Sequence, residues 1–240
     1  MPSPIPSVSL VYTYYENPEM LERLVGHLSS FPKAIRDRIE LVVVDDGSPE
    51  NPATITGDNL GFECRVFRIL YDQPWNQSGA RNIGVREARH KWALMLDMDM
   101  EVPLETISDI LALESDYQDW YLFSARSMTE GVMPLRRHHN AILMSTRFYW
   151  RVGGFDENFD GYYGTAQFFG IAAERIHPFT HLTELWIDFV GRDEVPDANT
   201  RTLSRKASLF ERGVIWSKRG LIRVGLLRRK LLTHPYVQVE

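Results

Sequence analysis

Cysteine is almost missing: Cys64 stands alone among 240 residues, which excludes an internal disulfide and points to a reducing compartment. No apolar run approaches the ~20 residues needed to cross a bilayer. The start Met1-Pro2-Ser3-Pro4-Ile5-Pro6 lacks the charged-then-apolar pattern of a secretory leader. The expectation is a cytoplasmic protein that at most rests on a membrane surface. Positive charge is also short, with 27 Lys and Arg against 32 Asp and Glu and a net charge of -5. This argues against a surface built to wrap nucleic acid, so any anion must be held by a local site. Internal repeats, low-complexity tracts and an obvious linker are absent. The 44% hydrophobic content is enough for the core of one large domain.

The first half of the chain alternates strands and helices. Val8 to Thr13 and Leu41 to Val44 are short β-branched apolar runs ending in polar residues, as buried parallel strands do. Between them, Asn17 caps a helix with Pro18 at its first position, followed by Met20, Leu21, Leu24, Val25 and Leu28. Strands are expected at Arg65 to Leu70 and Trp92 to Leu96, with a helix at Ser78 to Arg89 between them. This predicts an α/β fold with a mostly parallel sheet, whose functional loops lie beyond the carboxyl ends of the strands. Further strands are expected at Trp120 to Ala125 and Ala141 to Ser145, then a loop rich in Gly and aromatics from Gly153 to Gly170.

Two strands end in paired acids. In Leu94-Met95-Leu96-Asp97-Met98-Asp99 the carboxylates are two residues apart and would share one side of an extended backbone. Hard oxygen ligands of this kind suit Mg²⁺ or Mn²⁺, although an Asp-x-Asp can also be a solvated strand end. In Val44-Asp45-Asp46-Gly47-Ser48 the acids either cap a turn or face a ligand. Both ends would lie on the same edge of one parallel sheet.

Five blocks then occur in order over residues 8 to 170: Val8 to Asn17, Val44-Asp45-Asp46-Gly47-Ser48, Gly79-Ala80-Arg81-Asn82-Ile83-Gly84, Asp97-Met98-Asp99 and Val152-Gly153-Gly154-Phe155-Asp156-Glu157. They resemble the motifs of family 2 glycosyltransferases, nucleotide-sugar-dependent enzymes of the GT-A, Rossmann-like fold. The resemblance implies that Thr13 and Tyr15 line a nucleobase pocket and that an acid of the Asp45-Asp46 pair accepts the base's N–H. A carboxylate is an acceptor-only partner for such a group. It further implies that Arg81 lies near ribose and diphosphate, that Asp97 lies near the ribose, and that Asp99 binds a Mn²⁺ or Mg²⁺ bridging the phosphates. His177 and His181 follow the aromatic loop where many GT-A enzymes place a further metal ligand.

The chain departs from the family at one block. Where an acid pair supplies the general base, it reads Gly164-Thr165-Ala166-Gln167. Either a displaced acid such as Asp156, Asp160 or Glu157 takes the proton, or configuration is retained and the departing phosphate oxygen takes it; retention needs no protein base. The expected function is sugar transfer from a UDP or GDP sugar to a carbohydrate or lipid-linked hydroxyl. A non-catalytic nucleotide- or carbohydrate-binding module is the alternative. A nucleotidyltransferase is disfavoured because no Gly-rich, Lys-containing phosphate loop lies near Thr13.

Residues 1–200 read as the GT-A domain and 201–240 as a basic helical extension, with ten Lys or Arg between Arg201 and Lys230. Leu221, Ile222, Val224, Leu227 and Leu231 are spaced as a helical face. The expectation is a helix packed on the core with its basic side in water; the alternative is a helix lying on a membrane surface.

Overall fold

The computed structural model describes residues 2–55, 60–73, 75–127, 137–162, 164–190 and 208–239. Its strands are β1 (Ser3–Pro4), β2 (Val8–Tyr14), β3 (Ile39–Asp45), β4 (Glu63–Ile69), β5 (Trp92–Asp97), β6 (Met100–Glu101), β7 (Glu114–Ser115), β8 (Trp120–Ser127), β9 (Arg137–Ser145), β10 (Thr180–Phe189) and β11 (Tyr236–Val239). The helices are α1 (Pro18–Ser29), α2 (Lys33–Arg36), α3 (Gln77–Glu87), α4 (Leu104–Ala112), α5 (Thr146–Val152), α6 (Gln167–Glu174) and α7 (Leu209–Arg223).

Nine strands form one sheet in the order β11-β4-β3-β2-β5-β9-β8-β10-β6. β2, β3, β4 and β5 are mutually parallel, and β8 and β10 share their direction because β9 runs antiparallel to both β5 and β8. Tyr14, Asp45, Asp97, Ser127 and Phe189 therefore all end at one edge. Val8, Leu10, Tyr12, Leu41 and Val43 face one hydrophobic layer with α1, while Val11, Val42 and Val44 face the other with Ala80 and Ile83 of α3. Burial on both faces is why these strands read as predominantly apolar runs, not as alternating ones. Asn17 Oδ1 accepts from Met20 N–H at 3.3 Å and Pro18 opens α1, as the sequence predicts.

The carboxyl-terminal extension differs from expectation. α7 begins at a capping box of Ser208 and Glu211 and ends at Arg223, before Leu227 and Leu231. Gly225, with φ +77°, is left-handed and stops the helix, with Gly225 N–H donating to Ile222 O and Leu226 N–H to Leu221 O. Only Ile215 of α7 is buried, so the helix is not sunk into the core. The chain then returns to the sheet, where β11 covers the β4 edge antiparallel, pairing Tyr236 with Ile69 and Val239 with Val66. The basic positions Arg201, Arg205 and Lys206 lie outside the described residues. Among the described residues no helix is long and apolar enough to cross a membrane.

Candidate nucleotide-sugar site

Thr13 sits between Val44 and Asp97 in register, so the ends of β2, β3 and β5 bring Thr13, Asp45, Asp46 and Asp97 to one place. The next element to arrive is the start of α3. Arg81 Nη2 donates to Asp97 Oδ1 at 2.6 Å, Gln77 Nε2 donates to the same oxygen, and Asn140 Nδ2 of β9 donates to Asp97 Oδ2. Arg81 is 1% exposed and its guanidinium lies 5.0 Å over the Phe155 ring. Asp97 is thus fixed by three donors from two elements. β5 stops at Asp97, and Met98 and Asp99 turn before β6. Met98 and Met100 are buried through this turn while Asp97 and Asp99 are part-exposed, keeping both acids on the open side. Val190 N–H bonds to Asp99 O at 3.0 Å, which seats the end of β10 beside that turn.

The Asp45-Asp46 pair is split in two. Asp45 is fully buried and accepts from Ser48 N–H and Ala53 N–H, both at 2.9 Å; it caps the turn. Gly47 in that turn has φ +78°, and a Cβ there would collide with the Tyr71 carbonyl, so only glycine fits. Asp46 accepts from Asn76 N–H, yet its Oδ1 is buried without a partner. Burial, reinforced by the charges of Asp160 and Asp45, holds its carboxyl well above the usual carboxylate range. Tyr12 and Tyr14 are the core aromatics. Tyr15 stands at the rim with its hydroxyl donating to Asp72 Oδ1 at 3.2 Å, and burial, then Asp72, pushes it up to about 12.

Several expected residues do not join the site. His177 precedes β10, where its Nε2 lies 3.3 Å from Asp119 Oδ1 and its carbonyl accepts from Trp120 Nε1. That is the amino end of β8, the edge opposite Asp99. His181 pairs with Leu122, five residues before Ser127 on β8, about 17 Å along the strand from the acidic edge; its Nε2 lies 3.2 Å from Ser124 Oγ. Neither histidine can share a metal with Asp99. Asp156 is also withdrawn. Its Oδ1 accepts from Asn158 N–H, Asn158 Nδ2 and Lys230 N–H, capping the 3-10 turn Glu157–Phe159. A carboxylate spent this way is not poised as a base. Glu157 accepts from Asn82 and Leu232 N–H on Oε1 and from Thr233 N–H and Oγ1 on Oε2. Although Glu157, Asp160 and His234 approach one another closely enough to suggest a metal, both Glu157 oxygens are already occupied. The cluster is an acid–histidine–acid latch instead.

Asp160 remains. It is buried, held by Ser78 and by His234 Nε2 at 2.9 Å, and its Oδ1 has no partner. Burial raises its carboxyl above the usual range. Thr165 and Ala166 stand where the acid pair was expected, with Thr165 Oγ1 donating to Tyr162 O at 3.1 Å. Asn76, Gln77, Asn140, Tyr71 and His234 were not foreseen. Asn76 and Gln77 carry a signal, as polar residues leading into a helix beyond a strand; His234 carries none, since it meets Asp160 only through the return of the C-terminal segment.

A sheet with six co-directional strands, helices on both faces and acids gathered at one carboxyl edge is the GT-A glycosyltransferase architecture. Solved structures agree. TarS 1-349 of S. aureus in complex with UDP-GlcNAc matches with a TM-score of 0.61 at 15% identity, covering 82% of this chain and 62% of that one. GalNAc-T7 with UDP, GalNAc and Mn²⁺ matches with a TM-score of 0.59 at 14% identity, covering 78% and 44%. Residues 9–216 match the profile of Glycosyl transferase family 2, and the chain belongs to that family. Similar curated proteins include an undecaprenyl-phosphate 4-deoxy-4-formamido-L-arabinose transferase of Pseudomonas fluorescens (strain SBW25), 29% identical over 44% of this chain and 31% of that one. The transferase of the same description from Proteus mirabilis (strain HI4320) is 28% identical over 48% and 36%. Each match spans about a third of the relative's length.

Proposed function

We propose that the protein transfers a sugar from a nucleoside diphosphate sugar, of UDP or GDP type, to a carbohydrate or lipid-linked acceptor in the cytoplasm. One observation carries this reading. Asp46 Oδ1, both amide atoms of Asn76, Nε and Nη1 of Arg81 and Asp160 Oδ1 are buried without hydrogen-bond partners, and all lie around the start of α3. Orphaned polar atoms are costly, and a nucleotide offers partners for acceptors and donors together. Asp46 would take an imide N–H, Tyr15 and Thr13 would border the base, and Arg81 would face the phosphate end. The known complexes of similar fold, one with UDP-GlcNAc and one with UDP and Mn²⁺, support the donor class, and the lipid-phosphate transferases among the relatives support the acceptor class.

The donor set fits a hard divalent cation. Asp99, part-exposed at the turn beyond β5, is the carboxylate that would hold Mn²⁺ or Mg²⁺. Bound there, the cation neutralises charge on the diphosphate leaving group. Retention is the proposed outcome at the anomeric carbon, since Asp156 and Glu157 are spent. Asp160, with its free oxygen, is the competing base. Proton NMR of the product reads the anomeric coupling: an inverted linkage together with an inactive Asp160→Asn variant favours Asp160 and overturns retention. The non-catalytic alternative is tested by incubating UDP sugars with Mn²⁺ and following released UDP. Nucleotide binding without any transfer or hydrolysis, across a panel of donors, would support it.

A further inference from the structure

α7 turns an unusual face to solvent. Its inner side carries Ile215, Lys218, Arg219 and Ile222: Lys218 Nζ donates to Asn158 O at 2.6 Å and lies 4.7 Å over the Tyr162 ring, and Arg219 lies 4.2 Å over the Phe168 ring. The cations thus tie the helix to the loop that leads into α6. The outer side carries Leu209, Phe210 and Trp216, which are 87%, 80% and 68% exposed, continued by exposed Leu221 and Val224. At 100° per residue these five fall on one side, with Gly213, Ser217 and Gly220 between them and no acid. Arg212 and Arg223 are exposed beside this stripe. This differs from the expected helix, whose apolar side would face the core: Ile215 and Ile222 face inward, but the larger apolar side chains Leu209, Phe210 and Trp216 face water.

A soluble helix rarely leaves a Trp, a Phe and a Leu in water on one stripe. Charge identifies the occupant. Between residues 208 and 239 there are seven Lys or Arg and a single acid, and that acid, Glu211, is occupied in the capping box with Ser208. An apolar stripe bordered by arginines, with no acid on that side of the helix, complements an anionic bilayer rather than a second copy of itself, whose stripe would bring arginine against arginine. We infer that the outer face of α7, centred on Phe210 and Trp216, lies in the surface of an anionic phospholipid membrane. The inference deepens the proposed function by naming the face that brings the site to a lipid-borne acceptor, and it rests on that reading only for the acceptor, not for the binding.

The test is co-sedimentation of the full chain, without donor or metal, with vesicles of phosphatidylcholine alone and of phosphatidylcholine with phosphatidylglycerol. Binding is expected to the anionic vesicles, to fall with added salt, and to drop at least about tenfold in a Phe210→Ser, Trp216→Ser double variant. Trp216 fluorescence should shift to the blue on binding. Both positions are exposed, so the variant should keep its far-ultraviolet spectrum and its nucleotide binding; a variant that loses these is replaced by Trp216→Ser alone. Failure of the wild type to bind anionic vesicles at low salt overturns the inference, as does a concentration-dependent dimer abolished by the same substitutions. Vesicle binding by a protein that, in the separate assay with Mn²⁺, neither transfers nor hydrolyses any donor of the panel would overturn the proposed function and leave this inference standing.

Discussion

Asp160 Oδ2 lies 2.9 Å from His234 Nε2, while Tyr71 bonds the other ring nitrogen of the same histidine. Residues from three distant parts of the chain thus meet beneath the start of α3. Replacing His234 by Ala leaves Asp160 buried with one partner fewer, and losing one partner of a buried hydrogen bond costs about 1–3 kcal/mol. The expected result is a melting temperature lower by roughly 2–12 °C for a domain of this size. Asp160→Asn, which removes the charge and keeps an acceptor, should lose less. Equal losses in thermal denaturation would show that the ring fills space and nothing else.

Asp46 predicts the opposite sign. Its carboxyl is buried, one oxygen has no partner, and burial with the nearby acids raises its pKa. Since the folded state favours the protonated form, the charge is a burden near neutral pH that lessens as pH falls toward that raised value. Asp46→Asn should therefore raise the melting temperature of the ligand-free protein, by about 2–4 °C per kcal/mol relieved. It should also weaken UDP binding at least about tenfold, near 1.4 kcal/mol. Wild-type affinity should fall as pH is lowered through the Asp46 transition, because only the carboxylate accepts the imide N–H. Calorimetry from pH 8 downward reads this; a flat profile would remove Asp46 from the base pocket.

Much of this arrangement is legible in the sequence, and the losses have physical causes. β2, β3 and β5 could be read because each is buried on both faces, which leaves apolar runs that continue unbroken to the terminal acid from Leu41 in β3 and from Trp92 in β5. α1 could be read because Asn17 and Pro18 act locally. β11 could not: Tyr236-Val237-Gln238-Val239 becomes a strand by covering the exposed edge of β4, a partner more than 160 residues away in the chain. The functions of Asp45 and Asp46 diverge because backbone N–H groups of Ser48 and Ala53 reach only the first. His177 and His181 mislead for a geometric reason: proximity in sequence to the aromatic loop says nothing about which end of β10 they occupy. Gly225 did mark the end of α7, but the apolar spacing continues past it.

Arg81 and Asp97 supply a prediction about orientation. The guanidinium holds Asp97 Oδ1 at 2.6 Å while lying over Phe155. A lysine keeps the charge but loses the planar fork and the ring contact. Arg81→Lys is expected to weaken UDP-sugar binding at least about tenfold, with no recovery at higher Mn²⁺. Binding within twofold of wild type by calorimetry would mean that Arg81 serves the fold alone.

Asp99 separates metal from nucleotide. Its position at the turn beyond β5 makes it an edge residue, so Asp99→Asn should preserve the melting temperature within about 2 °C, as surface substitutions do. In the wild type, Mn²⁺ should tighten UDP binding and a chelator should reverse the effect. In the variant that dependence should vanish while metal-free affinity changes little. Unchanged Mn²⁺ dependence in Asp99→Asn would reassign the metal to another group.

Glu40 offers a stability test far from the acidic edge. The side chain is fully buried in β3, bonded by Ser9 Oγ, by Arg65 Nη2 at 2.8 Å and by Arg89 N–H at 2.6 Å. Burial alone would raise its carboxyl, but these three donors together hold it below the ordinary 4.5. The folded protein therefore binds fewer protons at this group than the unfolded chain does. Its stabilisation is complete above pH 4.5 and is lost as pH falls through the depressed folded value. Glu40→Gln keeps the shape and leaves Arg65 without its charged partner, so it should cost about 3 kcal/mol at pH 7, in the range for a broken buried pair. That cost should shrink as pH falls through the depressed folded value, where the wild type also loses the charge. Melting temperatures of both proteins between pH 3 and pH 8 read the difference directly. A gap between the two curves that stays constant across this range would show that Glu40 contributes through packing and not through its ionised carboxylate.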